Sequence, residues 1–140
     1  MRLPPRASRL LKMARIAHLA TADLSGQPHV IPICFIFDGK HFYSPIDEKP
    51  KRTGPTNLKR LKNISENSRV SLVIDRYDED WRKLAYVLVQ GQAQILMGGV
   101  KYRRALGLLR RKYPQYRTMA LQGRPMIQIT PSRCTCWGKI

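Results

Sequence analysis

His29 to Ile46 reads HVIPICFIFDGKHFYSPI, and this stretch decides the fold class. Residues 29–37 are rich in β-branched and aromatic side chains, which suit a pleated, half-buried strand. Asp38-Gly39 then gives a strong hairpin turn signal, and KHFYSPI returns as the partner strand. Pro32 lacks the N–H that a ladder needs, so the first strand is expected at a sheet edge or beside an opening. The apolar run from Val30 to Phe37 is far too short to span a bilayer, and no membrane association is expected.

Working outward, residues 7–16 (ASRLLKMARI) space Leu10, Leu11, Ala14 and Ile16 as a short helix would. AHLATAD follows as a strand and LSGQPH as a turn. Beyond Ile46 comes a basic junction, then LKRLKNISEN, where Leu58, Leu61 and Ile64 predict a helix burying one face. SRVSLVIDRY alternates as a strand, with Val70, Leu72 and Ile74 on one side. KLAYVLVQGQAQILM is a long strand that Gly91 is expected to kink or bulge. VKYRRALGLLRRKYPQY predicts a basic amphipathic helix with Val100, Ala105, Leu108 and Leu109 as apolar contacts, stopped near Pro114. RPMIQITPSRCTCWGKI closes the chain as one or two strands. Short strands joined by hairpins, with few helices between them, favour a mainly antiparallel sheet or barrel over a Rossmann-type fold. No Gly-x-Gly-x-x-Gly and no phosphate-loop motif occurs.

The 140 residues read as a single domain, 1–140, with a formal net charge of +17. No Asp or Glu follows Asp80, while twelve Lys and Arg do. Such a chain binds polyanions at low salt whatever its function, so nucleic-acid binding is expected to be non-specific if it occurs. The basic N-terminus never forms a clean apolar signal segment, and a cytoplasmic location is expected. Cys34 stands alone and Cys134-x-Cys136 is one weak metal signal. In a strand those two side chains share a face, and no metal site is expected. His18, His29 and His41 have no accompanying nucleophile motif, and Asp78-Glu79-Asp80 reads as a solvated turn. No catalytic side chain is identified.

The basic junction carries Lys49, Lys51 and Arg52 around Pro50, just before a helix. Arginine forks onto two phosphate oxygens, lysine acts as a compact charge, and a helix N-terminus favours phosphate. On charge alone three readings stay open: solvated loop residues, a nucleic-acid contact, or a pocket for a phosphorylated ligand.

The ordered set LAT, G-x-P-H, DG, KPKR and N-x-R-V-S-L, clearest from Ala14 to Asp80, resembles the pyridoxamine 5′-phosphate oxidase-like split-barrel flavoproteins. It is most similar to their F420-dependent oxidoreductase branch, F420 being a deazaflavin. The resemblance implies a six-stranded antiparallel split β-barrel with flanking helices, a homodimer with the cofactor at the subunit interface, and F420, or alternatively FMN, as that cofactor. It implies hydride transfer to a small organic electron acceptor. A non-enzymatic split barrel carrying a flavin, haem or tetrapyrrole is the alternative. By the same resemblance Lys49, Lys51 and Arg52 would hold the cofactor phosphate. Ile31, Pro32 and Ile33, with Tyr43, Ser44, Pro45 and Ile46, would flank the ring. Gln90 and Trp137 would complete the pocket across the interface. The chain lacks the extended C-terminal segment of pyridoxamine phosphate oxidases proper, which argues against vitamin B6 oxidation.

Overall fold

The computed structural model describes residues 3–47 and 58–139. Within them the order is α1 (Pro5–Met13), β1 (Ala17–Ala22), β2 (Pro28–Ile33), β3 (Ile36–Phe37), β4 (Phe42–Pro45), α2 (Lys59–Glu66), β5 (Arg69–Arg76), β6 (Ala85–Leu96), α3 (Val100–Lys112) and β7 (Met126–Gly138). The strands form one antiparallel sheet in the order β2-β1-β5-β6-β7-β4-β3.

That order makes the sheet curl. β2 and β3 lie at opposite edges, yet only Cys34 and Phe35 separate them in sequence. Laid flat, six interstrand steps would hold the edges about 29 Å apart. The link from Ile33 to Ile36 spans at most about 11 Å. The sheet therefore rolls into a split barrel, as expected, with one difference. The predicted single strand HVIPICFIF is two strands meeting at a corner, which gives seven strands where six were expected.

The corner is held by side chains from far along the chain. Tyr113 Oη accepts the Phe35 N–H at 3.0 Å, and Lys112 Nζ donates to the Phe35 carbonyl at 3.0 Å. Ser44 Oγ donates to the Cys34 carbonyl at 2.8 Å. The backbone groups freed by breaking the ladder are thus paired elsewhere, as burial requires. The alternation of faces nevertheless continues through the break. Phe35 enters the main core while the next residue, Ile36, enters a second cluster under α3.

Two cores result. The barrel interior joins Leu19, Leu72, Ile74, Val87 and Ile127 to Leu10 and Leu11 of α1 and to Leu61 and Ile64 of α2. The second cluster packs Tyr102, Ala105, Leu106 and Leu109 of α3 on Ile36, Tyr43 and Met126. Each large side chain so buried contributes about 1.5–3 kcal/mol. β4 and the start of β7 lie between the cores, so both of their faces are covered. Two helix assignments shift. α1 ends at Met13, leaving Ile16 exposed, and Val100 is 73% exposed, with Tyr102 and Leu106 taking the contacts assigned to it. Gly91 does mark a bulge, at the Gln90/Gly91 register shift, and Pro32 does sit in an edge strand.

Candidate functional site

Alternation along the strands sorts the anticipated site residues by face. On the outer face the register aligns Pro32, His18, Val73, Leu88 and Thr135 in one row. Val30, Ala20, Ser71, Gln90 and Arg133 form the next, and Asp75, Tyr86 and Trp137 a third. Pro32, Gln90 and Trp137 therefore share one surface. Trp137 is 51% exposed and stacks on Tyr86, ring centroids 5.6 Å apart. Gln90 lines a cavity of about 390 Å³ with Ala20, Ser71, Gly91 and Ser132.

The other residues face elsewhere. Ile33 is in the main core and half-buried Ile31 packs against it. Tyr43 lies under α3, where its hydroxyl accepts from Gln128 Nε2 at 3.1 Å. Ile46 is fully buried, and Ser44 and Pro45 are buried as well. A ligand beside β4 would meet its backbone, not the Tyr43 or Ile46 side chains. Pro32 and Trp137 stand four strands apart on this face and in different rows. Lys49, Lys51 and Arg52 lie outside the described residues.

Both flanks of that basic segment are anchored. Before it, Asp47 is 6% exposed. Its Oδ2 accepts from Tyr116 Oη at 3.1 Å, and its carbonyl from Arg124 Nη1 at 3.1 Å. Burial, with the nearby Cys34 and Asp47 adding to it, pushes the Tyr116 phenol well above its ordinary range. After the segment, α2 brings Arg60 into the field of Asp47. Burial lowers the guanidinium pKa, and the carboxylate opposes that shift. Sequence reasoning missed Arg60 because LKRLKN reads as an exposed basic face. Nothing local signals that Asp47 and Tyr116 wait beside it.

Among the described residues, three buried side-chain polar atoms have no hydrogen-bond partner: Arg60 Nε, Asn63 Oδ1 and His29 Nδ1. Asn63 Nδ2 donates to Thr21 Oγ1 at 3.0 Å, and Thr21 pairs in register with His29, so two of the three adjoin one residue. Buried polar groups are normally satisfied, and such exceptions suit a site that a ligand completes. A spare Arg60 N–H on the helix that follows the basic segment is a donor of the kind a phosphate-bearing cofactor takes. Elsewhere, Cys134 and Cys136 share the inner face with sulfurs 3.8 Å apart, and burial raises the Cys134 thiol pKa to about 12. Among the described residues no three His, Cys, Asp or Glu side chains converge as a metal site, and no helix is long and apolar enough to cross a membrane.

Solved structures share this architecture. A conserved hypothetical protein from Mycobacterium tuberculosis superposes with a TM-score of 0.76 at 19% identity, over 98% of this chain and 86% of its own. The haem storage protein HutZ from Vibrio cholerae gives 0.74 at 14% identity, over 99% and 95%. An F420 reductase gives 0.67 at 21% identity, over 95% and 98%. At these identities the likeness is one of fold. No curated protein matches the sequence. The family profile described as pyridoxamine 5′-phosphate oxidase matches residues 3–138. The chain belongs to the pyridoxamine 5′-phosphate oxidase family.

Proposed function

We propose that two copies of this chain form an oxidoreductase that binds F420, or alternatively FMN, in a groove between them and passes a hydride to a small organic acceptor. The observation that carries the reading is the break at Cys34–Phe35. It leaves the outward edge of β2 and the Ser44–Pro45 edge of β4 without partner strands among the described residues. Such edges offer backbone N–H and C=O groups to the polar rim of a flavin-type ring without a dedicated side-chain motif. When bound, the cofactor supplies the redox-active ring. Lys49, Lys51 and Arg52, together with Arg60, hold its phosphate. The strand edges orient the ring, and Gln90 and Trp137 of the partner subunit close the groove against water. The outer rows with exposed Val30, Pro32 and Trp137 are the surface on which the second copy would dock. The net charge of +17 favours F420, whose oligoglutamate tail FMN lacks.

Fluorescence titration of the purified chain with F420 and with FMN at 150 mM salt tests this, alongside light scattering for the dimer. One cofactor per subunit is expected. Lys51→Ala/Arg52→Ala is expected to weaken binding roughly tenfold or more, the scale of a lost charge-assisted contact, with the fold intact. Binding of neither cofactor sinks the reading. Reduction of quinones and enones by the reduced cofactor separates an enzyme from a carrier.

One observation favours a second reading, a haem or tetrapyrrole carrier: His18 is exposed in the middle of the semi-apolar outer face. A haem absorbance band on titration that shifts in His18→Ala supports the carrier, and no haem binding removes it.

A further inference from the structure

Away from the β2 and β4 edges, a cavity of about 760 Å³ opens between α1, the β3–β4 turn and α3. Its volume falls in the range of small-molecule sites. Five of its lining residues are cations: Lys12, Arg15, Arg104, Arg111 and Lys112. Helical spacing brings them together. Ser8, Leu11 and Lys12 share a face of α1, with Arg15 just beyond its end, and Arg104, Leu108 and Arg111 share the facing stripe of α3.

The one acid at the cavity is committed elsewhere. Asp38 Oδ1 accepts the Lys40 and His41 N–H groups at 2.8 and 2.7 Å, shaping the hairpin turn. Neither α1 nor α3 contains an acidic residue. Two helices thus face each other with like charges and no acid of their own, with Asp38 the one carboxylate among the described lining residues against five cations, a local conflict typical of functional sites. The floor is rigid. Lys112 Nζ donates to the carbonyls of Leu11 at 3.1 Å and Phe35 at 3.0 Å, which leaves one of its three N–H groups, and it sits 3.8 Å from the Phe35 ring centre. Arg15 Nη1 donates to the Lys112 carbonyl. Lys12, Arg104 and Arg111 are exposed at the rim with no acidic partner among the described residues. Leu11, Ile36, Phe37 and Leu108 supply an apolar wall beside the charge.

We propose that this cleft is a second binding site, for a small organic polyphosphate of the nucleoside di- or triphosphate kind, its ring against the apolar wall and its phosphates among the cations. The concave shape and the apolar wall favour a compact ligand over a polymer backbone. The proposal does not depend on the flavin reading. Burial, with Arg15 adding to it, lowers the Lys112 pKa to about 8.

Calorimetric titration of the full chain with ADP, ATP, pyrophosphate and a short single-stranded oligonucleotide at 150 mM salt tests the site. Saturable ADP and ATP binding, one per chain, is expected, with pyrophosphate weaker. Arg104→Ala/Arg111→Ala is expected to lower the affinity roughly tenfold per arginine. The melting temperature should stay level or rise, since repulsion is relieved, and F420 or FMN titration of this variant should match the parent. Arg104→Gln alone gives a milder second point on the same scale. No saturable ADP binding, or equal affinity in the double variant, overturns the site. Pyrophosphate binding as tightly as ADP overturns the nucleoside class. An oligonucleotide that binds more tightly than ADP and is lost with the same arginines makes the cleft a polynucleotide surface instead.

Discussion

Tyr113→Phe removes one oxygen, and the structure says what that oxygen holds. Tyr113 is buried, and its hydroxyl accepts the Phe35 N–H at 3.0 Å. Its single proton goes to the Arg15 carbonyl at 2.9 Å or the Phe35 carbonyl at 3.1 Å. Burial raises the phenol pKa to about 12, so it remains a donor at every working pH. Leaving the Phe35 N–H buried and unpaired costs about 1–3 kcal/mol, and the lost donor bond about 1 more. One relief opposes this. Tyr113 borders a cavity of about 310 Å³ with Arg15, Cys34 and Tyr116, through which water can reach the vacated position. The expected loss therefore lies near the low end, about 2–3 kcal/mol, or a melting temperature lower by roughly 5–10 °C for a chain of this size. Urea unfolding at fixed protein concentration measures it, with an unchanged slope showing that only stability has moved. A loss below about 0.5 kcal/mol, within the range of an ordinary surface change, would refute the claim that Tyr113 holds the corner between β2 and β3.

Gly91→Ala and Gly107→Ala are the same substitution with opposite expected signs. A Cβ at Gly91 would stand 2.2 Å from the Thr130 carbonyl oxygen and 3.0 Å from Pro131 Cα, both backbone. The bulge must therefore open, at about 3 kcal/mol or more. At Gly107, in the exposed side of α3, a Cβ meets nothing within 4 Å, and a gain of about 0.5–1 kcal/mol is expected. Paired thermal melts check both, and equal effects would contradict the geometry. Lys112 predicts a pH dependence. Its pKa falls from 10.5 to about 8 on folding, so above pH 8 the unfolded chain keeps a proton that the folded chain has released. Stability from this group is lowest when both states are charged and rises with pH from about 8. Beyond pH 9 the Cys134 thiol, held up to about 12 when folded, works in the opposite direction. Melts between pH 7 and 9 should show a rise in the parent that Lys112→Met abolishes. A rise that persists in the variant would assign it to another group.

What the sequence could reveal was set by how far each signal reaches along the chain. Alternation in SRVSLVIDRY, the three-residue spacing of Leu58, Leu61 and Ile64, the bulge at Gly91 and the edge position of Pro32 depend on neighbours, and all four are where expected. The corner at Cys34–Phe35 was hidden because its partners, Ser44, Lys112 and Tyr113, lie up to 78 residues away. VIPICFIF looks continuous because its alternation, with Ile31, Ile33, Phe35 and Phe37 toward the main core, runs unbroken through the corner. The site divides along the same line. Parity along strands is local, so it could place Pro32, Gln90 and Trp137 once register was known. Whether Tyr43 faced a ligand or α3 depended on a helix sixty residues later. Charge is the extreme case. The +17 total is a sum over positions and carries no geometry, so it cannot tell a solvated lysine from a convergent one. Topology makes that distinction, through the curl that sets α1 against α3 and the Asp47 and Arg60 anchors on either side of the basic segment. The two groups of cations are expected to be separable by substitution. Substitution at Lys51 and Arg52 should affect the flavin-type cofactor, substitution at Arg104 and Arg111 a polyphosphate, and neither pair the other's ligand.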